Sequence, residues 1–233
     1  MQSIIKKLPV HSDKSRVYKI TELDKKDLIV LHCTGSRANP FKTAKYHISP
    51  ESHLMKGGAP AIAYHTMIDW KGNASQCLPW ETISYHAAGY NTRSVGVAVC
   101  YNPLERDTTG IIQIPPNKSQ LKALPSVLSD VCFETNIPPC SIKPHNALWG
   151  TGWIWGWIGS GTLRSRRKVP LKACPGKLID MSDLIKEVTI GIQSRLYEMG
   201  FYDANIDGIW GKYSNKGFKK YNSSCGKQIK EEM

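Results

Sequence analysis

Apolar positions along this chain fall into short runs cut by polar, glycine-marked turns, and stripes of helical period are few. Asp27-Leu-Ile-Val-Leu31 is a continuous apolar run that predicts a buried strand delivering His32-Cys33-Thr34 at its end. Lys56-Gly-Gly-Ala-Pro60 predicts a turn, after which Ala61 to Ile68 reads as a second strand. Val95 to Cys100, rich in β-branched residues, reads as a third. Between Ser119 and Glu134, Leu121, Leu124, Leu128, Val131 and Cys132 recur at helical spacing. Pro125 lies within that stretch, so a helix either begins near it or is kinked there.

The second half of the chain changes character. Trp149, Trp153, Trp155 and Trp157 crowd together ahead of the basic run Arg164, Arg166, Arg167 and Lys168. Five glycines between 150 and 161 break any long helix, so residues 149–170 read as an inserted ordered loop or hairpin. Its tryptophans either stack on sugar rings or a membrane face, or pack to keep the insertion ordered. Met181 to Glu187 reads as a closing helix or a linker. The pattern restarts at Val188, with Ile192, Leu196 and Met199 leading to a C-cap at Gly200. A glycine-punctuated loop to Gly211 precedes another helical stretch. The break between 183 and 188 predicts an α/β domain over residues 1–182 and a small all-α module over 188–233.

Of 233 residues, 41% are hydrophobic and 21% charged, enough apolar material for a packed core. A formal net charge of +12 favours a polyanionic partner, whether nucleic acid, an anionic membrane face or an acidic wall polymer, beside the plainer reading of solubility. No run approaches the roughly 20 apolar residues of a membrane-spanning helix. Met1 to Val10 runs straight into His11-Ser-Asp-Lys14 without an apolar core, so a secretory signal is not expected and synthesis is expected to leave the chain in the cytoplasm. Seven cysteines without framework-like spacing read as reduced thiols, one of them available to a metal.

His32 at a strand end, His145 after Lys143-Pro144, and Cys174 within Lys172-Ala-Cys174-Pro175-Gly176 make a candidate zinc set. Two imidazoles and one thiolate leave a fourth position open, as catalytic zinc requires. His11, His47 and His53 lie in polar surroundings without such partners, and His65 is expected to pack on the sheet face opposite Tyr64. Cys33 is expected to turn away from His32 into the core.

These segments, taken in order, resemble a known family. Leu31-His32-Cys33-Thr34, Ala63-Tyr64-His65-x-x-Ile68, His86-Ala-x-x-x-Asn91-x-x-Ser94-Val-Gly96-Val and Lys172-x-Cys174-Pro-Gly are similar to motifs of the zinc-dependent N-acetylmuramoyl-L-alanine amidases, which include phage lytic enzymes and peptidoglycan-recognition proteins. The resemblance covers about residues 25–182. It implies a mixed sheet flanked by helices and hydrolysis of the lactyl-amide bond between muramic acid and L-alanine. It implies His32, His145 and Cys174 as ligands of Zn2+, Tyr64 and Lys172 as catalytic helpers, and His86 as a substrate contact. Asn91 is either a further substrate contact or a turn residue, as is Ser94. Residues 188–222 resemble the small three-helix peptidoglycan-binding domain of wall hydrolases.

The expected protein is therefore a monomeric, endolysin-like peptidoglycan amidase, made in a phage-infected cytoplasm and acting on the cell wall after release. Peptidoglycan is the expected partner, without nucleic acid or an integral membrane segment. A muropeptide-recycling amidase, a peptidoglycan receptor without catalysis and a nucleic-acid binder are the rivals. Against the first stand the module and the cysteine ligand, against the second Cys174 and Tyr64, and against the third the lack of any recognition motif.

Overall fold

The computed structural model describes residues 1–107, 110–149, 174–176 and 179–226. Most of the Trp-rich insertion, from 150 onward, and Lys172 lie outside these described residues. Six strands form one sheet: β1 (Gln2–Ser3), β2 (Leu28–Cys33), β3 (Thr66–Ile68), β4 (Ala74–Gln76), β5 (Ser94–Val99) and β6 (Ile142–Pro144), in the order β1-β4-β3-β5-β2-β6. Only β3 and β4 run antiparallel; every other neighbouring pair is parallel. Every residue of β2 and β5 is buried, which is why both read as unbroken apolar runs.

Alternation along β2 and β5 sorts the two faces. Ile29, Leu31 and Cys33 join Val95, Val97 and Val99 in the main core, under α2 (Lys118–Thr135) and α3 (Met181–Glu198). Leu28 and Val30 pack with Ala87 on the opposite face, towards which His32 also points by alternation. That face is closed by the loop preceding β5 and, further along, by α1 (Pro40–His47), whose Ala44 packs with Ile62, Met67 and Ala98.

The second expected strand is shorter than its sequence suggests, because side chains take the backbone groups of Ala61 and Ala63. The Ala63 N–H donates to His47 Nδ1 at 3.0 Å, and the Ala63 carbonyl accepts from Ser84 Oγ at 2.8 Å. Helix α2 starts well before Pro125, which lies in its interior, because Asn117 and Gln120 form a reciprocal capping box. Gln120 Nε2 also donates to the Cys100 carbonyl at 3.0 Å, tying the helix to the end of β5.

Helix α3 runs unbroken across the expected 183–188 boundary. Asp180 caps it, and Leu184, Val188, Ile192 and Leu196 form one buried stripe at four-residue spacing. It ends in a Schellman turn: Phe201 N–H donates to Leu196 O at 2.8 Å, Gly200 N–H to Tyr197 O at 3.0 Å, and Gly200 takes φ +76°. Buried Gln193 grips the following loop, its Oε1 accepting from Asp207 N–H at 3.1 Å and Gly208 N–H at 2.9 Å. Helix α4 (Lys212–Ser224) then folds back on α2, with the Phe218 and Tyr221 rings 5.6 and 5.0 Å from Phe133. Among the described residues no helix is long and apolar enough to cross a membrane.

Two buried histidines serve the packing. His65 accepts from Gly96 N–H at 3.0 Å, donates to Thr82 O at 2.9 Å and stacks on Trp80, as the sequence led us to expect. Burial lowers its pKa to about 3, helped by the Lys26 charge, and lowers that of His47 to about 4, helped by His53.

Two outcomes follow from this packing. Leu196→Ala removes a fully buried contact of α3 and lowers stability by about 2–5 kcal/mol. Denaturant unfolding then shifts as one transition, since α3 carries both ends of the core; two separate transitions would contradict this. The stability owed to neutral His47 and His65 is complete above their ordinary pKa of 6.5 and is lost as pH falls through about 4 and about 3, because the unfolded chain takes up these protons first. Urea midpoints of metal-free protein fall from neutral pH to about pH 5, and His47→Gln makes the fall shallower; an unchanged slope counts against it.

Candidate metal centre

Strand register brings the two candidate imidazoles together. Leu31 pairs with Pro144 across the parallel β2–β6 ladder, so the next residues on each side, His32 and His145, emerge side by side. Their ring centroids are 4.2 Å apart, and they are 1% and 6% exposed. Cys174 is carried in from a distant loop and held by the residues that follow each histidine. Its Sγ accepts from Cys33 N–H at 3.0 Å, and its carbonyl accepts from Asn146 N–H at 2.9 Å.

Cys174 Sγ lies 3.8 Å from His32 Nδ1, and one donor atom from each of the three residues lies within 4.8 Å of the other two. Nitrogen and sulfur donors on one tetrahedral zinc ion stand about 3.5 Å apart, so the donor set fits with a small contraction. No other group of three such donors converges among the described residues. His11 and His53 are engaged elsewhere, with Gly57 O and the Tyr46 hydroxyl.

Tyr64 stands beside the trio, its ring 5.2 Å from that of His32. Burial of the phenol, with the sulfurs of Cys174, Cys33 and Cys100 adding to it, pushes its pKa well above the ordinary value. The hydroxyl therefore keeps its proton at neutral pH and is available as a donor.

His86 is buried, and both of its nitrogens are engaged within the protein, Nδ1 with His32 Nε2 at 3.0 Å and Nε2 with Ser94 Oγ at 3.2 Å. That arrangement leaves it no free nitrogen for a substrate, the role its motif had implied. Asn91 Oδ1 accepts from Ala87 N–H at 2.7 Å, which closes the turn carrying His86 and accords with the turn reading. Cys33 lies in the main core, where its thiol meets the Cys174 side chain and its backbone N–H donates to Cys174 Sγ. Gly96 went unremarked in the sequence except as part of a motif, although a lone glycine within Ser94-Val-Gly-Val-Ala-Val99 signals a close approach. A Cβ there would come within 2.8 Å of His86 Nδ1.

Comparison with known proteins agrees with this geometry. A family model described as N-acetylmuramoyl-L-alanine amidase matches residues 23–177. Peptidoglycan recognition protein 3 from Mus musculus is 26% identical over 108 residues, 46% of this chain, and this match spans only 29% of that protein's length. Among solved structures, the Ph2119 endolysin from the Thermus scotoductus MAT2119 bacteriophage Ph2119 superposes with a TM-score of 0.52 at 19% identity, covering 80% of this chain and 97% of that one. The N-acetylmuramoyl-L-alanine amidase LysC from Clostridium intestinale URNW superposes with a TM-score of 0.50 at 19% identity, covering 75% and 93%. At such identity the likeness is one of fold. The family match runs from before β2 to beyond Cys174 and so encloses all three donors together with Tyr64: the chain belongs to the N-acetylmuramoyl-L-alanine amidase family.

Proposed function

We propose that this protein is a zinc-dependent peptidoglycan hydrolase of the endolysin kind, cleaving the amide between N-acetylmuramic acid and L-alanine. The convergence of His32, His145 and Cys174 inside the family-matched region carries the reading. A zinc ion held there would polarise the scissile carbonyl and supply a nucleophile at neutral pH. The chain's own residues divide the remaining work. The Cys33 N–H, by donating to Cys174 Sγ, favours the thiolate that binds metal. The protonated Tyr64 hydroxyl donates to the oxyanion as the carbonyl becomes tetrahedral. Lys172, assigned by family resemblance, brings positive charge to the same oxygen.

The C-terminal helices are proposed to hold the enzyme on the wall. Ile209 and Tyr213 are 67% and 62% exposed, and α4 carries an open groove of about 460 Å³ lined by Lys212, Asn215, Lys216, Lys219, Lys220 and Ser223. This apolar and cationic surface suits an anionic wall polymer, as does the net charge of +12. Because α3 belongs to the shared core, the anchor is best tested by surface substitution and not by truncation at 188.

Purified peptidoglycan digested by the enzyme gains free L-alanine amino termini by mass spectrometry; new reducing sugar ends in their place would overturn the assignment. Cys174→Ala loses both tightly bound zinc and lytic activity. Tyr64→Phe keeps the zinc while kcat falls by about 10²–10³, the scale of losing one oxyanion donor. Lys216→Glu combined with Lys220→Glu releases from insoluble sacculi at lower salt than the parent protein. Superimposable salt curves would remove α4 from wall binding.

A further inference from the structure

We propose that His86, seated against Gly96 and held by Ser94, is a positioning residue that decides which nitrogen of His32 faces the metal. The inference deepens the zinc reading above and rests on it.

The proton positions follow in sequence from a backbone carbonyl. The Tyr90 carbonyl can only accept, so the Ser94 hydroxyl spends its one proton there, at 2.7 Å. Ser94 Oγ is then an acceptor towards His86 Nε2, 3.2 Å away, which must carry a proton. With that proton on Nε2, Nδ1 is the acceptor nitrogen of the ring, and it faces His32 within the buried layer. His86 Nδ1 therefore accepts from His32 Nε2–H at 3.0 Å. With its proton committed to that side, His32 presents a bare Nδ1 towards Cys174 Sγ, 3.8 Å away, as a metal ligand requires.

An independent observation fixes the ring itself. Gly96 lies in the middle of a strand otherwise suited to β-branched residues, and a Cβ at that position would meet His86 Nδ1 at 2.8 Å and Cγ at 2.9 Å. The missing side chain is the slot that lets the imidazole lie close to β5. The Gly96 N–H is occupied by His65 on its other side, at 3.0 Å. The Asn91 bond to Ala87 N–H holds the turn from which His86 projects.

The test combines zinc affinity, measured by chelator competition on refolded metal-free protein, with imidazole 15N NMR of the zinc-loaded parent. The NMR shows His86 protonated on Nε2 and bare at Nδ1; a proton on Nδ1 overturns the proposal even if no variant folds. Ser94→Ala and His86→Leu weaken zinc binding by about 10–100-fold, the usual scale for partners of a ligating histidine. His86→Asn, whose carboxamide oxygen can stand where Nδ1 stood, regains most of the loss seen with His86→Leu. Equal affinity of the parent, Ser94→Ala and His86→Leu proteins would overturn the positioning role while leaving the zinc reading intact. A parent protein that binds no zinc would instead defeat the zinc reading itself.

Discussion

The structure depends on one constraint, the parallel, in-register pairing of β2 with β5 on one side and β6 on the other. Parallel ladders keep residues at the same level pointing the same way, so whatever follows Leu31 and Pro144 emerges at one point on one edge. The same register sets Gly96 opposite Val30 and Ala98 opposite His32, which clears room beneath the imidazole for a second ring. Such pairing is stable only if both faces are covered. Helices α2 and α3 cover one face, and the loop bearing His86 covers the other, so the layer that completes the sheet also supports the candidate metal donors.

That layer is polar for a core, and it persists because its groups are paired. Lys26, 3% exposed, donates to the carbonyls of Thr82 and Ser94 at 2.9 Å each, and burial lowers its pKa to about 8. His65, His86 and Ser94 use one another and the backbone of β5 in the same manner. A buried donor without a partner costs about 1–3 kcal/mol, so a half-satisfied network here would destabilise the fold. Complete pairing instead holds the rings in fixed orientations, which is what a ligand set needs.

The C-terminal helices are tied to the same core. Val188, Ile192 and Leu196 continue the buried stripe that begins at Leu184, and Phe218 and Tyr221 close over Phe133. Arg195 adds a 2.7 Å ion pair with Asp130 and lies over the Phe133 ring. The cationic face of α4 is thereby presented from a packed scaffold and not from a flexible tether.

The sequence by itself determined a good deal. Apolar runs marked β2 and β5, helical spacing marked α2, and Gly200 marked the end of α3, because each signal depends on residues a few positions apart. The motifs around His32, His145 and Cys174 also singled out three side chains that the fold brings together, since a resemblance in motif order is legible along the chain. Other features were decided only by the tertiary structure. The chain around Ala63 gave up its strand because His47 and Ser84 took that residue's backbone groups, and both come from elsewhere in the sequence. The break expected at 183–188 falls inside α3, whose stripe from Leu184 to Leu196 is buried in the same core cluster as α2. His86 was legible as a site residue but not as a support, and Gly96 hardly at all. Their meaning lies in how a ring from one loop meets the gap in a strand beside it, and strand order, which no local pattern encodes, is what brings them together.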